Sequence, residues 1–399
     1  MACALASEDR RLRTAGGICP GGGNVSALTP DQCRQVLIYA PEESEFTTQH
    51  ERAGRVELAR QLGALKGFEF GGLWDQSHFR QAKPYFLPSK ALRPHEAIEL
   101  GVSSVADLYG GVVPHDFVAT KAITHGLITP CATAPAGWSH AFSTSVQEVV
   151  LPGISAFSAE DGMAAGLALL KRHPVRCKPA NATGGRGQAV VRTMAQLVKY
   201  LGAMGEDEIA THGVVLEENL SQVQTWSVGV VEVGDIRASY YGLQRMTRDN
   251  RGRNAYGGSS LVFARGGFDD LLGLDITVSI RAAIDQARHY DQTAFSCFPG
   301  LIASRRNYDV VQGLNGQGQW QSGVLEQSWR VGGASSAEVA ALQIFQARPK
   351  IGSVRASSVE VYGNCTPPPG AVVYFHGHDA DAGPITKYSI VEKNGHADV

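Results

Sequence analysis

Short apolar runs alternate with helix-like segments over the first part of the chain. Residues 36–40 read VLIYA and predict a buried strand, whereas residues 48–65 have the apolar spacing of a helix. Residues 84–88, PYFLP, predict another short extended segment. This alternation is typical of a small α/β domain, which we place at residues 34–115. Residues 1–33 are rich in glycine, alanine, serine and arginine without a sustained period, and we expect a loose N-terminal leader there.

A second unit is predicted at residues 116–212. Residues 121–127 predict a short helix, and Ser158 stands where a helix N-cap is expected, three residues before an acidic side chain. The apolar runs at 175–178 and 188–192 predict two strands that enclose a glycine-rich loop.

A third unit, residues 213–346, is predicted to contain a large sheet. Its expected elements are strands at 214–218, 226–231, 238–241, 307–311 and 323–328, and helices at 275–290 and 335–346. Residues 347–399 are predicted to form a C-terminal β-hairpin extension.

The composition restricts the classes of protein to consider. The chain of 399 residues is too long for one hydrophobic core, and its 36 Lys and Arg against 38 Asp and Glu argue against a nucleic-acid partner. No apolar run approaches the ~20 residues that span a bilayer, so we expect no membrane partner. Seven scattered cysteines without metal-like spacing favour free thiols in a reducing compartment, and we predict a cytoplasmic protein that can form oligomers.

The glycine-rich loop lies in the stretch CKPANATGGRGQAVV, residues 177–191. The chain contains neither GxxxxGK[ST] nor a GxGxxG that follows a strand, and this loop joins two strands instead of opening a helix. Its glycines could let backbone N–H groups close over a polyphosphate, with Lys178 adding a charge. The alternative is a purely structural hairpin turn. Strand alternation places the neighbouring Cys177 in the core.

Two carboxylates are predicted to meet in the third unit. Asp309 and Glu326 lie on the two strands of a predicted antiparallel hairpin. Carboxylates on rigid strands suit Mg²⁺, which takes a few protein oxygens together with substrate phosphates. Arg330 follows closely and could bind a phosphate oxygen with its guanidinium.

These segments, taken in order, resemble the ATP-grasp superfamily. The resemblance covers about residues 115–345 and rests on Lys121, on Lys178 before the small-residue loop, on the strand that ends at Glu218, on Asp309, and on the run EQSWRVGG at 326–333. It implies an α/β and α+β fold, in which a small N-terminal α/β domain precedes two α+β lobes that enclose a nucleotide. Residues 116–212 would be the small lobe with its glycine-rich flap, and 213–346 the large lobe with the metal site.

The resemblance also implies roles for single residues. For ATP they are Lys121, Lys178, Thr183, Gly184, Gly185, Gly187, Leu216, Glu217, Glu218 and Gln224; for the metal they are Asp309, Glu326 and Ser328; and Arg330 would lie near the γ-phosphate. Two positions depart from the family pattern. Ser328 stands where the family usually has asparagine, which leaves open whether one or two metal ions bind, and Gln224 stands where an acidic residue often binds the ribose.

The binding site for the second substrate is less clear from the sequence. Residues 244–258 are dense in arginine and interrupted by glycine, which fits either a mobile loop that holds an anionic group or a solvated basic loop. We select Arg245 as the candidate catalytic residue here because it ends a predicted strand.

The resemblance implies an ATP- and Mg²⁺- or Mn²⁺-dependent ligase. Such an enzyme activates a small-molecule carboxylate as an acyl phosphate, which an amine or another nucleophile then attacks. Positioning and charge neutralisation suffice for this chemistry without a covalent protein intermediate. A kinase on the same scaffold and a non-catalytic nucleotide-binding module are the alternatives.

Overall fold

The computed structural model describes residues 34–41, 48–75 and 83–392. The predicted leader, residues 1–33, lies outside these ranges. No helix within them is both long and apolar enough to cross a membrane. The four cysteines that the described ranges contain are free thiols.

The helices and strands follow the chain in a regular order. The α-helices are α1 (Gln49–Lys66), α2 (Pro94–Leu100), α3 (His140–Ser145), α4 (Ala159–Leu170), α5 (Met194–Met204), α6 (Glu206–His212), α7 (Phe268–Leu272), α8 (Val278–Cys297) and α9 (Ser335–Ala347). Short 3₁₀ helices lie at Val105–Asp107, Asp116–Ala119, Lys121–Thr124 and Gln147–Val149. The first strands are β1 (Gln35–Tyr39), β2 (Glu69–Leu73), β3 (Tyr85–Pro88), β4 (Gly111–Val112), β5 (Gly153–Ala156), β6 (Val175–Pro179), β7 (Ala189–Val191) and β8 (Val214–Glu218). The remaining strands are β9 (Ser221–Val233), β10 (Ile236–Arg248), β11 (Asn254–Arg265), β12 (Ile302–Ala303), β13 (Arg305–Leu314), β14 (Trp320–Ser328), β15 (Ser353–Tyr362), β16 (Val372–Asp379) and β17 (Gly383–Val391).

Side-chain caps set several helix ends where the sequence predicts them. The Ser158 hydroxyl accepts a hydrogen bond from the backbone N–H of Asp161 and begins α4, and Thr48 caps α1 in the same way. Helix α8 begins later than predicted, at Val278, because Thr277 caps it. Local signals therefore determine these boundaries.

The N-terminal domain has a parallel three-stranded sheet of order β2-β1-β3. Val36 and Ile38 face one core together with Leu58 and Leu62 of α1. The alternate residues of β1 face a second core with α2. Since both faces are covered, β1 is apolar at nearly every position, as a buried parallel strand requires.

A four-stranded antiparallel sheet, β5-β8-β6-β7, forms the small lobe under α4 and α5. Strands β6 and β7 enclose the glycine-rich loop, as predicted. Cys177 is buried in this core, and burial raises its thiol pKa to about 12. The prediction that Cys177 is a core residue is confirmed.

The large sheet has eight strands in the order β14-β13-β9-β10-β11-β15-β17-β16. Helix α8 covers one face, while α9 and α1 cover part of the other. The segment predicted as a hairpin extension does form the β16–β17 hairpin, but β17 also pairs with β15 and β15 with β11. This segment therefore extends the large sheet, because its strands satisfy the backbone hydrogen bonds of the β11 edge.

A buried ion pair joins the large sheet to α9, and a tyrosine of the N-terminal domain contacts it. The Arg305 guanidinium donates to both carboxylate oxygens of Glu338 on α9, at 2.9–3.1 Å. Tyr109, from the N-terminal domain, and Tyr240, from β10, also donate to this carboxylate. Burial lowers the pKa of Arg305, but Glu338 outweighs this effect and raises it.

We expect Glu338→Gln to lower the free energy of unfolding by about 3–5 kcal/mol, because it leaves the Arg305 charge buried without its partner. Urea denaturation measures the difference. The control is Glu57→Gln, which removes the surface pair with Arg60 and should change stability by less than about 1 kcal/mol. Equal effects of the two substitutions would show that the buried pair is not the junction we describe.

Candidate active site

Asp309 and Glu326 lie directly opposite each other on β13 and β14. Asp309 accepts hydrogen bonds from the side-chain amides of Gln244, at 2.9 Å, and Asn307, at 2.8 Å. Burial, and then the neighbouring Glu326 carboxylate, raise the pKa of Asp309 to about 6. Like charges directly opposite in a sheet repel each other, and a cation between the two carboxylates would relieve this repulsion.

Lys121 connects this carboxylate pair to the glycine-rich loop. Its Nζ lies 3.0 Å from Glu326 Oε2 and also donates to the backbone carbonyls of Ala180 and Ala182. Thr120 caps the 3₁₀ helix that carries Lys121 and so positions the lysine. One buried ammonium group therefore contacts the Glu326 carboxylate and the start of the loop.

Lys178 is paired with a carboxylate inside the small lobe. Its ammonium contacts Glu217 on β8, and His125 Nε2 lies 3.3 Å from the other oxygen of Glu217. Burial raises the pKa of Glu217, but Lys178 and then His125 outweigh this effect and lower it to about 2. No motif in the sequence points to His125, which stands four residues after Lys121.

The glycine-rich loop is open in its middle and attached at its ends. Gly184, Gly185 and Gly187 have φ of 63°, 73° and 70°, a conformation that side chains disfavour. All three are exposed. Tyr200 donates to the carbonyl of Gly187 at 2.9 Å, and Lys121 contacts the opposite end of the loop. Thr183 accepts two hydrogen bonds from the exposed Arg186, so this arginine stabilises the loop conformation.

Strand β8, which is expected to contact the adenine, makes most of its side-chain and backbone contacts within the small lobe. The Leu216 side chain packs in the core beside Cys177, so it does not line a ligand site. The N–H groups of Glu218 and Asn219 donate to the carbonyls of Pro152 and Pro174. Strand alternation directs the Leu216 side chain into the core, so only the backbone of this strand could contact an adenine, and the expected contact stays a prediction.

Gln224 lies on the wrong face of the large sheet for its expected role. It is directly opposite Gln312, whose side chain contacts Ser279 at the start of α8. Directly opposite residues share a face. Gln224 thus belongs to the face that α8 covers, whereas Asp309 is on the opposite face. The expected contact of Gln224 with the ribose is therefore wrong.

The arginine-dense segment is a β-hairpin instead of a mobile loop. Residues 244–248 on β10 pair with 254–259 on β11, and Asp249 holds the turn by accepting from the N–H groups of Arg251 and Arg253. Arg245 is exposed. Its neighbour Gln244 is the residue that reaches Asp309. Backbone pairing across the turn overrides the loop-like composition.

Ser328 and Arg330 lie beside the carboxylate pair, and Arg305 donates hydrogen bonds to both residues. Arg305 Nη1 donates to Ser328 Oγ at 3.2 Å and to the carbonyls of Ser328 and Arg330. Asn307 is directly opposite Ser328. A guanidinium against the serine hydroxyl makes that oxygen a poor ligand for a second cation.

Within the part of the chain that the structure describes, no group of three or more His, Cys, Asp and Glu side chains could hold a metal ion. The two carboxylates on β13 and β14 would therefore need other oxygen donors to complete a coordination shell. Hard carboxylate oxygens that repel each other suit Mg²⁺ when substrate phosphates supply the remaining ligands.

We expect Asp309→Asn to stabilise the ligand-free protein above pH 6, by roughly 1–3 kcal/mol. The folded-state pKa of Asp309 is about 6, above the unfolded value near 4, so the contribution of this group is present at low pH and lost as pH rises from 4 through 6. Urea denaturation of both proteins at pH 4.5 and 7.5 tests this. A stability difference that does not change with pH would contradict the assignment.

Comparisons with known proteins agree with this architecture. The structure resembles N5-carboxyaminoimidazole synthetase from Staphylococcus aureus, solved with ADP, with a TM-score of 0.52 and 12% identity over 91% of this chain and 94% of that one. It also resembles phosphoribosylamine–glycine ligase from Thermotoga maritima, with a TM-score of 0.50 and 13% identity over 90% of this chain and 93% of that one.

No curated protein matches the sequence. The family described as "Protein of unknown function (DUF3182)" matches residues 38–389. The chain therefore has the ATP-grasp fold and belongs to this DUF3182 family.

Proposed function

We propose that this protein is an ATP- and Mg²⁺-dependent ligase that activates a carboxylate as an acyl phosphate for attack by an amine or another nucleophile. The observation that carries the proposal is the contact of Lys121 with both Glu326 and the glycine-rich loop, next to the facing Asp309. This arrangement brings together a lysine that would bind phosphate, two carboxylates that would bind a metal ion and a loop that would cover them.

The glycine-rich loop would cover the phosphates of ATP. Residues 183–187 offer backbone N–H groups without side chains at the glycines, and the exposed middle of the loop is free to close. Lys121 and Lys178 are each paired with a carboxylate in this structure, which offsets their charge before ATP binds. Closure would exclude water from a reactive acyl phosphate.

Mg²⁺ bound at Asp309 and Glu326 would neutralise charge on the transferred phosphoryl group. The two carboxylates fit this ion because they supply hard oxygens on adjacent rigid strands. Gln244 would orient the Asp309 carboxylate, to which it donates. Arg330 would stabilise the negative charge that develops nearby.

We propose Asn307, in addition to these carboxylates, as the amide ligand that the Ser328 position lacks. Tyr240 has one hydroxyl hydrogen, and the Glu338 carboxylate, 2.6 Å away, accepts it. In the ligand-free protein the Asn307 amide oxygen lies 3.0 Å from this hydroxyl, and the NH₂ group donates to Asp309 at 2.8 Å. A cation at Asp309 would repel that NH₂ group, so the amide would turn about its Cβ–Cγ bond to face the ion with its oxygen, while its NH₂ group donates to the Tyr240 oxygen.

The nucleotide half of the site would be the same in a ligase and in a kinase, so it does not distinguish the two reactions. The similarity to two ligases favours ligation. In the proposed reaction a substrate carboxylate oxygen bonds to the γ-phosphorus while the bond to ADP breaks. The nucleophile then bonds to the acyl carbon, and orthophosphate leaves.

Two observations favour a non-catalytic nucleotide-binding module as a second candidate. The Ser328 hydroxyl contacts Arg305, and the expected ribose-binding position, Gln224, belongs to the other face of the sheet. Binding of MgATP without any turnover would support this candidate.

We expect Asp309→Asn and Glu326→Gln each to lower Mg²⁺-dependent ATP turnover by about 100-fold or more, since metal stabilisation of the transition state is worth several kcal/mol. Wild type and variants are assayed for ADP with pooled amino acids and dicarboxylates. Asp269→Asn, a surface change on α7, is the control and should retain full turnover.

Product analysis separates the candidates in the same assay. ADP, orthophosphate and a condensed product indicate a ligase, whereas ADP with a stable phosphorylated product indicates a kinase. Unchanged turnover in both carboxylate variants would refute the metal assignment.

We expect Asn307→Ala to weaken Mn²⁺ binding about tenfold or more in the presence of ADP, and Ser328→Ala to change it by less than about threefold, because only the amide oxygen would coordinate the ion. Electron paramagnetic resonance of free Mn²⁺ measures both affinities. The opposite order of effects would restore Ser328 as the ligand and exclude Asn307.

A further inference from the structure

His125 is a buried polar group that the proposed function does not use. Its Nε2 atom lies 3.3 Å from Glu217 Oε2, and the two side chains are only 1% and 2% exposed. Burial is outweighed by Lys178 and then by His125, which lower the pKa of Glu217 to about 2. An ionised carboxylate only accepts hydrogen bonds, so the Nε2 atom of His125 must carry a hydrogen and donate to Glu217.

The small lobe leaves room for this imidazole and holds it in place. Gly153 on β5 is directly opposite Glu217, and a Cβ atom there would lie 2.6 Å from the His125 ring. Any side chain at this position would therefore displace the imidazole. The hydroxyl of Ser155, two residues further along β5, donates to the carbonyl of Ala122 at 2.6 Å and fixes the segment that carries His125.

Lys178 contacts the other oxygen of the same carboxylate. Its ammonium lies against Glu217 Oε1, whereas His125 faces Oε2. Among the residues that the structure describes, no other side chain or backbone N–H group donates to this carboxylate. Two donors, one on each oxygen, therefore satisfy the buried charge of Glu217.

Binding of a phosphate group by Lys178 would disturb this arrangement. The Lys178 side chain is 3% exposed, so its ammonium would have to turn away from Glu217 to reach a nucleotide in the cleft. A buried carboxylate that loses its partner is costly, because water cannot replace the lost donor. Release of Lys178 would thus be unfavourable if Glu217 had no second donor.

The other candidate phosphate lysine does not need such a replacement. Lys121 contacts Glu326, whose side chain is 32% exposed, so water can hydrate this carboxylate when Lys121 moves. The Glu217 side chain is 2% exposed. A second protein donor is present at the carboxylate that water cannot reach.

We propose that His125 is a positioning residue that keeps Glu217 hydrogen-bonded while Lys178 moves from this carboxylate to the phosphates of ATP. The inference rests on the proposed function, because it takes Lys178 as a phosphate-binding residue. His125 itself would not touch the nucleotide. It would lower the free-energy cost of releasing Lys178 and would increase the affinity for a nucleotide polyphosphate in this way.

The first test measures the Kd for MgADP by isothermal titration calorimetry. We expect His125→Leu to raise it about tenfold or more, because a hydrogen bond to a charged group is lost. His125→Gln keeps an amide N–H near the position of Nε2 and should raise it less than about threefold. His140→Leu, at an exposed histidine on α3, is the matched control and should leave it unchanged.

Two results of this titration would contradict the proposal: an unchanged Kd in His125→Leu, or an equal loss of affinity in His125→Gln and His125→Leu. Should His125→Leu not fold, His125→Asn takes its place with the same expectation, because its shorter side chain withdraws the donor from Glu217.

The second test separates this role from a structural one. Glu217→Gln removes the buried charge, so a second donor is no longer required. In that background we expect His125→Leu to change the Kd for MgADP by less than about threefold, since the effect of His125 acts through the Glu217 charge. The same loss of affinity in both backgrounds would show that His125 only supports the small lobe, and would overturn the inference.

Lys178→Met, titrated in the same way, distinguishes the failure of this inference from that of the proposed function. If MgADP does not bind wild type, or binds Lys178→Met equally well, the proposed role of Lys178 is wrong and this inference fails with it. If Lys178→Met binds MgADP more weakly and His125→Leu does not, only the inference on His125 fails.

Discussion

The buried pair of Arg305 and Glu338 is the interaction on which the rest of the architecture depends. It joins a strand of the large sheet to α9, and Glu338 also accepts hydrogen bonds from the hydroxyl groups of Tyr109 and Tyr240. The same guanidinium holds the backbone at Ser328 and Arg330. An ion pair that is removed from water requires nearly complete hydrogen bonding, and these partners supply it. The junction between the domains and the edge of the candidate site are therefore one network.

The candidate site combines neutralised and unneutralised charge. Lys121 and Lys178 are paired with Glu326 and Glu217, so they do not leave buried charges alone. Asp309, in contrast, faces a like charge. The compensated lysines belong to the lobes that would hold ATP, whereas the uncompensated carboxylate lies where a metal ion would bind.

Sequence reasoning succeeded where the signal was local or followed one hairpin. The caps at Thr48 and Ser158 are short-range hydrogen bonds, and the facing of Asp309 and Glu326 follows from two strands joined by one turn. It failed at Gln224, whose face depends on which elements cover each side of the sheet. It also took a paired hairpin at residues 244–258 for a loop, because backbone hydrogen bonds between strands leave little trace in composition.

The sequence alone determined the order of the elements, the positions of the lysines and carboxylates along them, and the resemblance to the ATP-grasp superfamily. These features depend on periodicity, capping and spacing, which are properties of neighbours in the chain. Only the tertiary structure brought Asn307 and Gln244 to Asp309, His125 to Glu217, and Lys121 to Glu326. Lys121 and Glu326 are far apart in sequence, so only the packing of the 3₁₀ helix Lys121–Thr124 against β14 can decide that their charges meet.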